Sequence, residues 1–206
     1  MSAGRRYVIA TLFVVGCSSV TASSLRAQSL SSLHIGDASA KLSALGKPAS
    51  SEPSNDRMVQ RWTLPNGNDL SATTDKNNRI VYLESDWNRT DAGTGCDLPW
   101  MHFGSTTLAE IRTHFGSNGF AFKGQAGQLL AEDGAVLLNS YEVGDTVITF
   151  YNKVSNAEIA KLDPAGQSTF ADHARLDAIS IASQSYAQSE WGGRVYDPHY
   201  KKVDWK

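Results

Sequence analysis

Cys17, Cys96, His34, His102, His114, His173 and His199 are the only cysteines and histidines in the 206-residue chain, and they bound its nucleophilic and metal-binding chemistry. No histidine falls in an HExxH pattern, and none lies near a cysteine at zinc-ligand spacing. His34 and His102 each precede a glycine by two residues, Gly36 and Gly104, and this repetition points to a capping or packing role. Asp172-His173 with Asp177 is the nearest approach to a metal set, but on a strand residues 173 and 177 stand far apart along one face. Serine chemistry finds no Gly-x-Ser-x-Gly; Ser105 and Ser117 follow glycines at helix boundaries. Glu132-Asp133 sits in a turn, and the Gly-rich stretch 118–127 has no Walker or dinucleotide pattern. The residues therefore imply no catalytic centre, no cofactor and no metal, and the chain reads as a non-enzyme.

Cys17 is open to two readings. Arg5 and Arg6 precede an apolar run, Tyr7 to Gly16, too short to span a bilayer, so residues 1–22 read as an export signal. Val14-Val15-Gly16-Cys17 matches a bacterial lipobox, which makes Cys17 a lipidation candidate and a membrane anchor. Val20-Thr21-Ala22 offers small residues at −3 and −1, so cleavage after Ala22 fits equally. After either event Cys96 has no intrachain disulfide partner and reads as a small packed residue or a reactive thiol. Formal net charge is −2, and removal of Arg5 and Arg6 with the signal takes it near −4. That balance argues against nucleic acid as a partner, since a phosphate-backbone binder shows a basic face.

The elements that must position these residues come in two similar sets. Residues 23–32, rich in Ser, Ala and Gln, read as a flexible tether. In 33–87, Asp37 is a candidate N-cap, and Ala38, Leu42 and Leu45 share one helical face that ends at Gly46. Three strands follow, Met58 to Leu64, Leu70 to Thr74 and Arg79 to Trp87, with an Asn66-Gly67 turn between the first two. Residues 88–100 read as a linker. In 101–183, Thr107 to Glu110 predicts a capping box, and Leu108, Ile111 and Phe115 share a helix face closed by Gly116. Strands then follow at Ala135 to Val143, Thr146 to Tyr151 and Arg175 to Ser183. The aromatic-rich tail 184–206 reads either as an interaction arm or as a wrap over exposed sheet.

Ile35-Gly36, Leu42, Leu45-Gly46-Lys47-Pro48, then Arg61-Trp62-Thr63-Leu64 and a meander, resembles the helix-plus-meander module of the SmpA/OmlA (BamE) outer-membrane lipoproteins. That module is shared with the β-lactamase-inhibitor-protein-like superfamily, in which two units stand in tandem. The resemblance implies an α+β fold: two tandem helix-plus-three-stranded antiparallel meander units forming one continuous sheet, with helices on one face. It departs from the inhibitors in lacking a disulfide in each unit. Residues and resemblance together imply a cell-envelope protein-binding module, periplasmic or outer-membrane-associated. The alternative is a soluble periplasmic or secreted inhibitor that occludes an enzyme's cleft. The expected partner is another protein, with Trp62, Tyr82, Tyr141, Tyr151 and Trp191 as candidate contact residues.

Overall fold

Short turns separating alternating strands fold the first half into a meander: β1 (Ser50–Ser54), β2 (Arg57–Thr63), β3 (Asp69–Thr74) and β4 (Ile80–Asp86). The Asn66-Gly67 turn returns β2 into β3, and Gly67 takes the φ of 89° that such turns demand. The second half carries α1 (Leu108–Phe115), β5 (Phe120–Phe122), β6 (Gln128–Ala131), β7 (Gly134–Val143) and β8 (Thr146–Ser155). Two single turns of helix follow, α2 (Asn156–Ile159) and α3 (Phe170–His173), then β9 (Arg175–Ser183), α4 (Gln184–Trp191) and β10 (Arg194–Tyr196). The computed structural model describes residues 28–124, 128–131, 133–162, 169–196 and 200–203. The expected signal 1–22 and the lipidation candidate Cys17 lie outside the described residues.

The ten strands of the described residues join one antiparallel sheet in the order β1-β2-β3-β4-β9-β8-β7-β5-β10, with β6 also beside β7. The halves meet where β4 pairs with β9, setting Leu83 opposite Ile181 and Ser85 opposite Ile179. One face carries the main core, including Trp62, Leu70, Leu83, Ile148, Phe150, Ile179 and Ile181. Leu42 of a 3-10 helix at Ser39–Leu45 packs on it, as do Ile111 and Phe115 of α1 and the loop residues Leu98, Met101 and Phe103. The capping box that starts α1 forms as its spacing predicts: Thr107 N–H donates to Glu110 Oε2 at 2.7 Å, and Glu110 N–H to Thr107 Oγ1 at 3.2 Å.

This architecture corrects the expectation of two tandem helix-plus-three-strand units with helices on one face. The first segment is a 3-10 helix, not an α-helix, and Asp37 does not cap it: Ala38 stands at the N-cap with no side-chain hydrogen bond. Asp37 instead accepts from His34 N–H at 3.0 Å and Lys41 Nζ at 2.9 Å. The first meander has four strands, since Ser50–Ser54 adds an edge strand to β2. The second half has six strands with α2 and α3 interposed. Helices occupy both faces: Tyr186 of α4 stacks on Tyr82, whose neighbour Leu83 points into the opposite, main core.

Three smaller expectations change with it. Leu30, in the expected tether, is fully buried and bridges Leu33 and Cys96. Leu98, in the expected linker, is 2 % exposed. Phe120–Phe122, expected in a loop, forms β5 and pairs with β10, so the described part of the tail is a wrap that lengthens the sheet.

Candidate functional site

Strand alternation puts Tyr82, Glu84 and Asp86 of β4 on the face opposite Leu83. Their cross-strand partners are Thr73, Ser71 and Asp69 on β3, and Ala182, Ser180 and Ala178 on β9. This second face is polar over its middle, where Thr149 and Tyr151 of β8 stand opposite Ser180 and Ala178.

Helix α4 follows β9 directly and covers only part of this face. Ser183 starts it by accepting Tyr186 N–H at 3.2 Å, and Ala187 is the buried contact. Tyr186 stacks on Tyr82 with ring centroids 5.2 Å apart, and Trp191 packs on Phe122 at 5.4 Å. Arg57 reaches over from β2 to hold the helix. Its guanidinium pairs with Glu190, donates to Ser189 Oγ at 3.0 Å and lies 4.6 Å from the centre of the Tyr186 ring. Between α4 and the first hairpin runs a groove of roughly 540 Å³, lined among others by Val59, Arg61, Asp69, Thr73, Tyr82, Glu84, Asp86 and Tyr186.

Three carboxylates stand on the groove floor with one cation near them. Burial pushes Glu84 above the usual carboxylate range, while the hydroxyls of Tyr82 and Tyr151 and the charge of Arg61 hold it back. Tyr82 donates its hydroxyl proton to Glu84. Burial pushes Asp86 up to about 7, reinforced by Glu84, Asp69 and Asp177 and opposed by Arg61. Among the described residues the Asp86 carboxylate has no hydrogen-bond partner. Tyr82 is driven well above its ordinary value by burial and then by Glu84. Tyr151 is pushed up to about 12 by burial first, and its hydroxyl lies 3.4 Å from Ser180 Oγ.

The structure sorts the residues singled out from sequence. Tyr82 and Tyr151 lie on the groove side of the sheet, and Trp191 lies at the far end of α4. Trp62 and Tyr141 require correction as partner contacts: they are 3 % and 0 % exposed. Trp62 donates Nε1–H to Gly46 O at 3.2 Å, and the Tyr141 hydroxyl donates to Ser117 O at 2.9 Å, so both are core aromatics with satisfied polar tips. Cys96 is half-buried, its sulfur 2.9 Å from Thr94 Oγ1, and burial pushes its thiol up.

Sequence reasoning did not single out Asp69, Glu84 or Asp86; Tyr186 entered only as one aromatic of the tail, and Arg61 only as part of the Arg61-Trp62-Thr63-Leu64 run. The only signal was the alternation of Tyr82, Glu84 and Asp86, which also fits an ordinary solvated strand face.

A larger cavity, roughly 700 Å³, lies along the outside of α1 between Trp100, His102, Glu110 and His114. Two of its polar residues serve local structure, while the buried Trp100 Nε1–H has no hydrogen-bond partner among the described residues. Glu110 closes the capping box, and the His114 ring lies 4.2 Å from that of Trp100. Among the described residues no three His, Cys, Asp or Glu side chains are grouped to hold a metal ion. The groove beside α4 is the stronger candidate, because burial raises both Glu84 and Asp86 there and the Asp86 carboxylate makes no hydrogen bond among the described residues.

No family model and no curated protein matches the chain. Among solved structures it is similar to an extracellular protein containing an SCP domain from Bacillus anthracis str. Ames, at 12 % identity and a TM-score of 0.45. That match covers 81 % of this chain and 50 % of the other, so the chain spans half the length of that protein. It is also similar to a DUF4309 family protein from Bacillus subtilis subsp. subtilis str. 168, at 12 % identity and a TM-score of 0.38, covering 70 % of this chain and 76 % of the other. Likeness at this level assigns neither a family nor an activity, and it does not bear on the resemblance to the β-lactamase-inhibitor-protein-like superfamily. Among the described residues no helix is long and apolar enough to cross a membrane.

Proposed function

We propose that the chain is an exported, non-enzymatic binding protein whose protein partner docks into the groove between α4 and strands β2–β4. One observation carries this reading: Glu84 and Asp86 are desolvated on a face the main core does not use. Desolvated carboxylates cost stability, and groups kept at such cost on an open face are candidates for function. Tyr82 and Tyr186 line the same groove with aromatic area suited to a protein contact. Export rests on Arg5, Arg6 and the apolar run to Gly16. Lipidation at Cys17 makes the protein a membrane-held scaffold in the periplasm or at the outer membrane. Cleavage after Ala22 makes it a diffusible binder or inhibitor.

The test places a photo-crosslinking amino acid at Val59 on the groove rim and, separately, at Thr113 on the outside of α1. Val59 should yield one discrete adduct in the envelope fraction, abolished by Tyr186→Ala, and Thr113 should not. Equal yields from both positions, or none from Val59, reject the groove as the docking site.

A second reading has one specific support. Two neighbouring carboxylates raised by burial are also what a hydrolase uses as its acid and base. Turnover of any glycoside or ester substrate that Asp86→Asn abolishes would favour it.

A further inference from the structure

We infer that the group the groove receives is a basic side chain, a lysine or arginine projecting from the partner protein. This rests on the groove being the docking site. Three carboxylates, Asp69, Glu84 and Asp86, line the groove, and Arg61 is the single cation among its lining residues. Arg61 offsets their charge only in part. Its side chain is 59 % exposed, and the ion pair it makes, at 4.0 Å, is with Glu52 on the edge strand. The groove therefore carries a formal excess of two negative charges when its acids are ionised.

A neutral occupant would remove water from these carboxylates and give nothing back, and an anionic one would add repulsion. An ammonium or guanidinium group would donate hydrogen bonds to the Asp86 carboxylate, which has no hydrogen-bond partner among the described residues, and offset its charge.

The walls fit the same chemistry. Aromatic ring faces attract cations when they are desolvated together. The chain itself provides the example at the groove's end: Arg57 lies 4.6 Å from the Tyr186 ring centre and pairs with Glu190 on the same helix. An incoming basic side chain would meet Glu84 and Asp86, alternate residues on one face of β4, with the stacked Tyr82 and Tyr186 rings forming the wall beyond Glu84. The groove is open to solvent, so its occupant enters from outside the molecule.

Two matched peptides test this, acetyl-Gly-Ser-Lys-Ser-Gly-amide and its glutamate-centred counterpart. Each is titrated into the ¹⁵N-labelled full chain at pH 8 and low salt while amide shifts are followed. The lysine peptide should move the amides of Arg61, Thr73, Glu84 and Asp86, and added salt should weaken it. Arg61→Gln removes the competing cation and should tighten that peptide on the order of three- to tenfold, whereas Asp86→Asn should weaken it by a similar factor. Glu84→Gln serves as a second variant, weakening binding in the same direction.

If the glutamate peptide moves the same amides and Arg61→Gln abolishes that effect, the inference is overturned while the groove remains the docking site. If neither peptide moves them and the Val59 crosslink still forms, the inference is again overturned and the site stands. If the Val59 crosslink fails, both fall together.

Discussion

Asp69 and Asp86 stand directly opposite one another on β3 and β4, two like charges in a register that destabilises a sheet. Burial acts with Glu84 and Asp69 to hold Asp86 at about 7. The ordinary aspartate value is near 3.9, so between these limits the folded chain binds a proton that the unfolded chain has lost. Stability from this group is fully present below pH 4 and is lost as pH rises through 7. Thermal melts should therefore show a lower midpoint at pH 8 than at pH 5. Asp86→Asn should reduce that difference and stabilise the protein at pH 8 by on the order of 1 kcal/mol, allowing for solvent screening. An unchanged pH slope in the variant would show that Asp86 does not set it.

Gly104 is fixed by a neighbour as well as by its backbone. Its φ is 71°, and a Cβ there would collide with the Trp87 ring at Cη2. Gly104→Ala should cost about 2–4 kcal/mol in urea unfolding, combining left-handed strain with overpacking. Gly116, at φ 59° with nothing within 4 Å of its absent Cβ, is the control, and its alanine variant should lose only about 1 kcal/mol. Equal losses at both sites would mean that Trp87 yields.

Trp62 and Tyr82 should separate stability from binding. Trp62→Ala opens a cavity in the main core and should cost about 3–5 kcal/mol. Tyr82→Phe keeps the ring against Tyr186 and removes only the hydroxyl that Glu84 accepts. It should leave the unfolding free energy in urea within about 1 kcal/mol of wild type and alter partner capture at Val59. A Tyr82→Phe protein as unstable as Trp62→Ala would make the Tyr82–Glu84 contact structural.

Arg57 fastens α4 through Glu190, Ser189 and Tyr186. Arg57→Ala should loosen the helix without unfolding the sheet. Hydrogen exchange by mass spectrometry should speed up about fivefold in the peptide covering 184–191, as expected for the loss of about 1 kcal/mol, with β8 unchanged. Uniform acceleration across both would assign Arg57 to global stability.

The Cys96 thiol, raised by burial and bonded beside Thr94, should be a poor nucleophile. Native protein at pH 8 should react with a disulfide reagent at least about tenfold more slowly than guanidinium-unfolded protein. Equal rates would restore the reactive-thiol reading.

Local chemistry made several elements legible in the sequence. The Asn66-Gly67 turn, the Thr107–Glu110 cap and the strands at 57–63, 69–74, 80–86, 134–143 and 175–183 all fall within a residue or two of expectation. Ser50–Ser54 was not legible, because an edge strand exposed along most of its length needs no apolar alternation. Phe120–Phe122 is too short to show a period. Trp62 and Tyr141 were misplaced because a pattern gives the two faces of a strand without saying which is covered. The groove was hidden for the same reason. Its wall, α4, buries a single residue, Ala187, and so carries almost no amphipathic signal.

The pairing of Tyr82 with Ala182 also has a temporal meaning. It closes a loop of about one hundred residues at the middle of the sheet, and that entropy is met before the contact returns anything. Until β9 has been made, Trp62, Leu70 and Leu83 belong to a meander whose inner edge has no neighbour. The centre of the sheet is therefore closed by a strand from near the end of the chain, with only β10 of the described strands following it into the sheet. A seam of this kind acts as a clasp, since the two halves share one sheet only once the trailing strand has joined the leading one.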